Sequence, residues 1–170
     1  PYGLENFISA VRDFTTPMQF ERLKKQINIE TETAVRQLDA ILSVSEAKYV
    51  DEITIGCSDL SESMKQPRWD KKFTAQVANV VKKIRSKNIR VSVGGGITPE
   101  TIDGYLEKVK PDNFNTRIIT FKVERDLNYF EAVQSALRFE ILMLEHDSSL
   151  KFISRDEEKF RIKQLKKRLK

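Results

Sequence analysis

The chain has 170 residues, 39% of them hydrophobic, and a formal net charge of +5, which is one ordinary domain with enough apolar residues for a core. A single cysteine, Cys57, excludes an internal disulfide and fits a reducing compartment. A single histidine, His146, excludes a His-based zinc cluster and an intrachain Ser-His-Asp triad.

The charge lies at one end. Residues 155–170 hold eight Lys/Arg against three Asp/Glu, while the remainder carries 22 of each sign. A nucleic-acid-binding domain spreads a basic face over its fold, so nucleic acid is not the expected partner. No apolar run approaches a membrane span and no signal-peptide pattern opens the sequence. A soluble cytoplasmic protein without a membrane partner is expected.

In chain order, Leu4, Phe7, Ile8, Val11 and Phe14 fall at helical spacing and predict a helix over 3–14, stopped at Thr15-Thr16-Pro17. Ile27-Asn28-Ile29 reads as a first strand running into Glu30. Ala34, Val35, Leu38, Ile41 and Leu42 then form one apolar stripe with Thr31 as N-cap. A second strand over 49–56 ends in a Gly56-Cys57-Ser58-Asp59 turn, and 61–69 reads as an irregular loop containing the only tryptophan, Trp69.

Phe73, Val77, Val80, Val81 and Ile84 predict the next helix, closed by a basic turn that suits its C-terminus. A strand over 89–93 breaks into Gly94-Gly95-Gly96, and Thr98-Pro99-Glu100 opens another helix. Residues 117–123 read as the last strand. Asn128-x-x-Glu131 reads as a capping box for a long helix with the stripe Phe130, Val133, Leu137, Ile141 and Leu144. Residues 148–170 form a basic tail helix whose sparse apolar side, Phe160, Leu165 and Leu169, is expected to pack on its own domain or on a second subunit. Strand–helix alternation of this kind predicts a parallel α/β fold.

In a parallel β/α array, residues just past the strand ends gather on one face, where ligands bind. Glu30 and Asp59 stand at two such positions and together are a candidate pair of ligands for Mg2+ or Mn2+, hard cations that take carboxylate oxygen. The same residues also suit plain local roles, Glu30 at a helix N-terminus and Asp59 in a turn. Asn28, two positions before Glu30, shares its side of the strand and is placed to meet a metal-bound water or the substrate. Gly95 and Gly96, ahead of a capped helix, form a candidate anion site. Arg117 is a candidate partner for an anionic substrate or a site carboxylate. Cys57 has no histidine beside it and reads as a packing residue. His146 reads as a dipole partner at the end of its helix.

Ile27-Asn28-Ile29-Glu30-Thr31-x-x-Ala34, followed by Asp51-x-Ile53-x-Ile55-Gly56-x-x-Asp59-Leu60-Ser61, resembles the HpcH/HpaI aldolase and citrate lyase β-subunit superfamily. Those are metal-dependent (β/α)8 enzymes that make or cleave carbon–carbon bonds beside a keto acid or thioester. The resemblance spans residues 1–147 and corresponds to the C-terminal half of a TIM-type barrel. A complete barrel takes about 250 residues, and the chain begins at Pro1 without an initiator Met; a fragment is expected. The resemblance implies Glu30 and Asp59 as metal ligands and backbone N–H groups of Ser58 and Asp59 holding the carboxylate of a pyruvate-like substrate. It also implies a metal-stabilised enolate, with the general base and a substrate-binding arginine supplied by the absent N-terminal half. The family usually carries a glycine where this chain reads Ser63-Met64-Lys65, so a different loop path is expected there.

Two further function classes remain. The glycine run supports a sugar-phosphate isomerase or epimerase with a phosphate at Gly95 and Gly96. The basic tail supports a non-catalytic binding or assembly module. Half a barrel exposes two sheet edges, which proteins cover or pair, so self-association or association with the missing half is expected.

Overall fold

The computed structural model describes residues 1–124 and 126–169. Its centre is a five-stranded sheet with strands in sequence order: β1 (Gln26–Ile29), β2 (Glu52–Gly56), β3 (Arg90–Gly94), β4 (Asn113–Asn115) and β5 (Thr120–Lys122). β1 to β4 run parallel, and β5 turns back antiparallel onto β4. The register is level across the parallel run. Ile29 pairs with Ile55, Ile55 with Val93, and Val93 with Phe114. The residues that follow β1 to β4 therefore emerge at one end of the sheet.

Period-2 alternation divides the sheet into two faces. Ile29, Ile53, Ile55, Val91, Val93 and Phe114 are all buried on one of them. Against this core lie α6 (Lys71–Arg85), with Phe73, Val77, Val80, Val81 and Ile84 buried, and α7 (Pro99–Val109), with Ile102, Tyr105, Leu106 and Val109 buried. The other face is polar: Asn28, Thr54, Ser92 and Asn113 share one row of the register. Hydrogen bonds tie that face together. Gln26 Nε2 donates to Thr54 Oγ1, Ser92 Oγ to Glu52 Oε1, and Asn113 Nδ2 to Glu52 Oε2.

The helices follow from local signals. α1 (Tyr2–Asp13) buries Leu4 and Ile8, and α2 (Pro17–Arg22) starts in a capping box of Thr16 with Gln19. α6 is capped by Asp70, which accepts from the Phe73 amide at 2.6 Å. α7 carries Pro99 in its first turn and ends at Lys110 in the left-handed region.

Several elements depart from the sequence expectation. The apolar stripe after Glu30 is split into α3 (Glu32–Arg36) and α4 (Leu38–Ile41) by Gln37, at φ −92° and ψ 7°; Leu38 and Leu42 reach the core, while Ala34 and Val35 stay half-buried. The second strand begins at Glu52 rather than at Tyr49, which ends a 3-10 turn over 45–49 and packs edge-on against Phe20. In the Gly-Cys-Ser-Asp stretch, Gly56 ends β2 and Cys57, Ser58 and Asp59 are helical, not a turn. α5 (Cys57–Ser63) begins directly after β2 and buries Cys57, Leu60 and Ser61 at one-turn spacing.

The last parallel strand is 113–115, not 117–123. The chain reverses through a turn closed by Thr116 N–H to Ile119 O at 3.0 Å, and β5 brings Phe121 onto the Phe114 ring, with centroids 4.8 Å apart. That stacking, with Tyr129 edge-on to both rings, gives the reversal its apolar return. β5 covers the outer side of β4 and leaves only a three-residue strand as that edge, a short edge of the kind that resists strand addition.

The capping box expected at Asn128 is absent. Asn128 Oδ1 instead accepts from the Phe130 amide two residues on, and Tyr129 stands at the N-cap position of α8 (Phe130–Ser149). α9 (Arg155–Arg168) is capped by Ser154 and lies against α8 with Leu165 buried. The tail helix is thus packed on its own domain. No helix among the described residues is long and apolar enough to cross a membrane.

Candidate functional site

Glu30 follows β1 directly and is half-buried. Its side chain lies across the end of β2, where Gly56 has no Cβ. A Cβ there would stand 2.6 Å from Glu30 Oε1 and 2.7 Å from its Cγ, inside van der Waals contact. Glycine at 56 thus makes the seat for this carboxylate. Asn28 Nδ2 donates to Glu30 Oε1 at 3.3 Å, which places the amide beside the acid as its strand position implies.

Asp59 stands in the first turn of α5, exposed, three residues beyond Gly56. Among the described residues neither Glu30 nor Asp59 forms an ion pair. Both carboxylates belong to the same end of adjacent strands. Among the described residues no three His, Cys, Asp or Glu side chains gather as a metal cluster.

The glycine run joins this region instead of forming a separate one. Gly95 and Gly96 have φ of +95° and +70°, a region open to glycine and costly for other residues. The Cβ position of Gly95 is 2.6 Å from the Ser58 amide nitrogen and 2.7 Å from its hydroxyl, and that of Gly96 is filled by the Arg68 guanidinium. Arg68 Nη1 donates to Ser58 Oγ at 2.7 Å. Ser58, Gly95 and Gly96 are therefore one neighbourhood, held by an arginine that the sequence reading passed over. No periodicity marks Arg68, because it lies in the irregular stretch between α5 and α6.

Arg117 lies in the β4–β5 turn rather than in a strand, with φ +123°, a strained backbone for a residue with a side chain. Its Nε stands 3.8 Å from Glu140 Oε1 on α8. Its carboxylate partner is therefore neither Glu30 nor Asp59. Glu140 is buried, and among the described residues neither of its oxygens has a hydrogen-bond donor.

Arg168, near the end of α9, reaches the same end of the sheet. Its Nε and Nη2 donate to the Ile97 carbonyl at 3.0 and 2.8 Å, and Nη2 to the Thr116 carbonyl at 3.3 Å. Burial lowers its pKa, the Glu140 carboxylate acts against that, and the charges of Arg68 and Arg117 lower it further; a guanidinium stays protonated regardless. The signal in sequence was slight: Arg168 follows the buried Leu165 by one helical step.

Cys57 is fully buried, with Sγ 3.3 Å from the Tyr105 hydroxyl, and burial pushes its thiol up to about 11. A protonated, enclosed thiol is a packing group, not a nucleophile. His146 sits in the last turn of α8, on a different element from Glu30, Ser58 and Asp59. No family model and no curated protein matches the chain.

Proposed function

We propose that the chain is a segment of a TIM-type (β/α) barrel, and that the protein is a metal-dependent carbon–carbon lyase or aldolase acting on a 2-keto acid or related carboxylate. The observation that carries this reading is the Glu30 carboxylate, seated in the space Gly56 leaves open and in no ion pair among the described residues. Asp59 follows on the adjoining helix. Mg2+ and Mn2+ bind through one or two such carboxylates and complete their shell with water and substrate oxygen, so the residues present fit such a cation.

Two further features support it. A barrel strand alternates interior and exterior residues, and the sheet alternates likewise, with Asn28, Thr54, Ser92 and Asn113 in the row that would face inward. The motifs around Glu30 and Asp59 also resemble those of the aldolase and citrate lyase superfamily.

On this reading Glu30 and Asp59 hold the cation, and the Asn28 amide fixes the Glu30 carboxylate through its hydrogen bond. The Ser58 amide takes the substrate carboxylate. Arg68, bonded to the Ser58 hydroxyl, adds positive charge beside it. The bound cation would supply Lewis-acid polarisation of the substrate's keto oxygen. The general base lies outside these residues, so the test on this chain is binding, not turnover.

Calorimetric titration of Mn2+ into the native chain, Asp59→Ala and Glu30→Gln, with and without pyruvate, tests this. Binding that pyruvate tightens and that both variants lose is the expected result. A folded native chain that takes up no Mn2+ would overturn the reading.

A further inference from the structure

Three arginines remote from one another in sequence converge at the carboxyl ends of β3 and β4. Arg68 comes from the segment after α5 and lies against Gly96 and Ser58. Arg117 comes from the β4–β5 turn and faces Glu140. Arg168 comes from α9 and bonds to the carbonyls of Ile97 and Thr116, just past β3 and β4. Bringing like charges together costs free energy unless something negative sits among them. Among the described residues, the protein's own contribution within ion-pair range is one carboxylate, Glu140. Three guanidiniums against one carboxylate leave two positive charges.

Part of the donor set is not spent on the protein. Among the described residues Arg68 uses only Nη1, and Arg168 uses Nε and Nη2 but not Nη1. Between them runs the Gly95-Gly96 backbone into α7. The hydroxyl of Thr98, the cap residue of that helix, is hydrogen-bonded to the Thr101 hydroxyl and caps no backbone amide. An eleven-residue helix without a side-chain cap, beginning beside guanidinium nitrogens that keep donors in reserve, has donors on two sides of the same space.

We propose that Arg68, Arg117 and Arg168, over the Gly95-Gly96 loop, form a site for the phosphoryl group of a small-molecule ligand. A phosphate monoester brings a double negative charge that matches the surplus, and three oxygens for planar guanidinium donors. A single carboxylate would leave one charge unmatched. A nucleic-acid backbone calls for a basic stripe running across a surface, whereas these arginines converge on one loop. The site uses neither Glu30 nor Asp59 and shares only Arg68 with the lyase reading, so phosphate binding without metal tests it separately from that reading.

The test is calorimetric titration of inorganic phosphate into the whole chain in the presence of a chelator, so that metal binding plays no part. Saturable binding is expected, weakened at least about tenfold in Arg68→Ala and in Arg168→Ala and unchanged in Lys163→Ala, a substitution elsewhere on the basic α9. Arg68 is exposed, so Arg68→Ala remains informative if Arg168→Ala fails to fold, and Arg168→Lys keeps the charge while removing the fork. No saturable binding to the native chain overturns the proposal. So does equal weakening in Lys163→Ala, which would mark a general effect of tail charge, and so does succinate binding as tightly as phosphate.

Discussion

Arg168 holds the Ile97 carbonyl with two nitrogens, Nε at 3.0 Å and Nη2 at 2.8 Å, across 71 residues of chain. The contact fastens the last turn of α9 to the loop between β3 and α7. A basic tail has two simple fates, solvated display or packing, and the geometry here is packing. Leu165 is buried one turn before Arg168, so an apolar anchor and a polar latch act on the same helical side.

It follows that Arg168→Ala destabilises the domain. A hydrogen bond from a charged donor contributes about 1.5–3 kcal/mol, and the Ile97 carbonyl, in a buried residue, loses both donors at once. A loss of about 2 kcal/mol in urea unfolding is expected, with Arg168→Lys intermediate. A change below about 0.5 kcal/mol, the usual range for unattached surface positions, would mean that α9 is held by Leu165 and its apolar neighbours alone.

Gly56→Ala separates seat from fold. The backbone at Gly56, φ −82° and ψ 87°, is open to alanine, so the substitution brings no left-handed strain. The added methyl would meet the Glu30 carboxylate at 2.6 Å, and Glu30, being the far end of a flexible side chain, moves away. Stability should change by less than about 1 kcal/mol, while Mn2+ affinity falls by about tenfold or more as one of two carboxylates leaves its place. Melting temperature and Mn2+ calorimetry on the same preparation read the two effects. Unchanged affinity would detach Glu30 from any cation site.

What was legible in the sequence had local causes. The alternation of Ile27 to Ile29, Ile53 to Ile55 and Val91 to Val93 marks half-buried strands, and the stripe from Phe73 to Ile84 marks a helix, because each pattern reports one face of one element. Glu30, Asp59, Ser58 and the glycine run could be found because each lies at or within three residues of a strand end. Illegible were the features set by distant partners. The reversal after Asn115 is made by Phe121 meeting Phe114 and Tyr129. The arginine cluster joins residues 68, 117 and 168, which no window of sequence contains together. α5 was missed differently. Cys57, Leu60 and Ser61 have helical spacing, but Gly-Cys-Ser-Asp is turn-like in composition, and burial prevailed over composition.

Cys57 gives the fold a specific alkaline weakness. Burial raises its thiol from the usual range near 9 to about 11, so the native state holds its proton over a window in which the unfolded chain has lost it. The native thiol's advantage is full below pH 9 and is lost as pH rises through about 11. A shift of this size corresponds to about 3 kcal/mol at most. Lysines and tyrosines titrate in the same range, so the informative quantity is the difference between the native chain and Cys57→Ala. Urea unfolding at pH 8, 9, 10 and 11 should show the native chain losing stability more steeply than the variant, the gap opening between pH 9 and 11. The same enclosure predicts slow alkylation of the native thiol at pH 8, speeding up only under unfolding conditions. Parallel stability curves, or rapid labelling of the folded chain, would mean that Cys57 is open to solvent and that the end of β2 is less closed than its contact with Tyr105 implies.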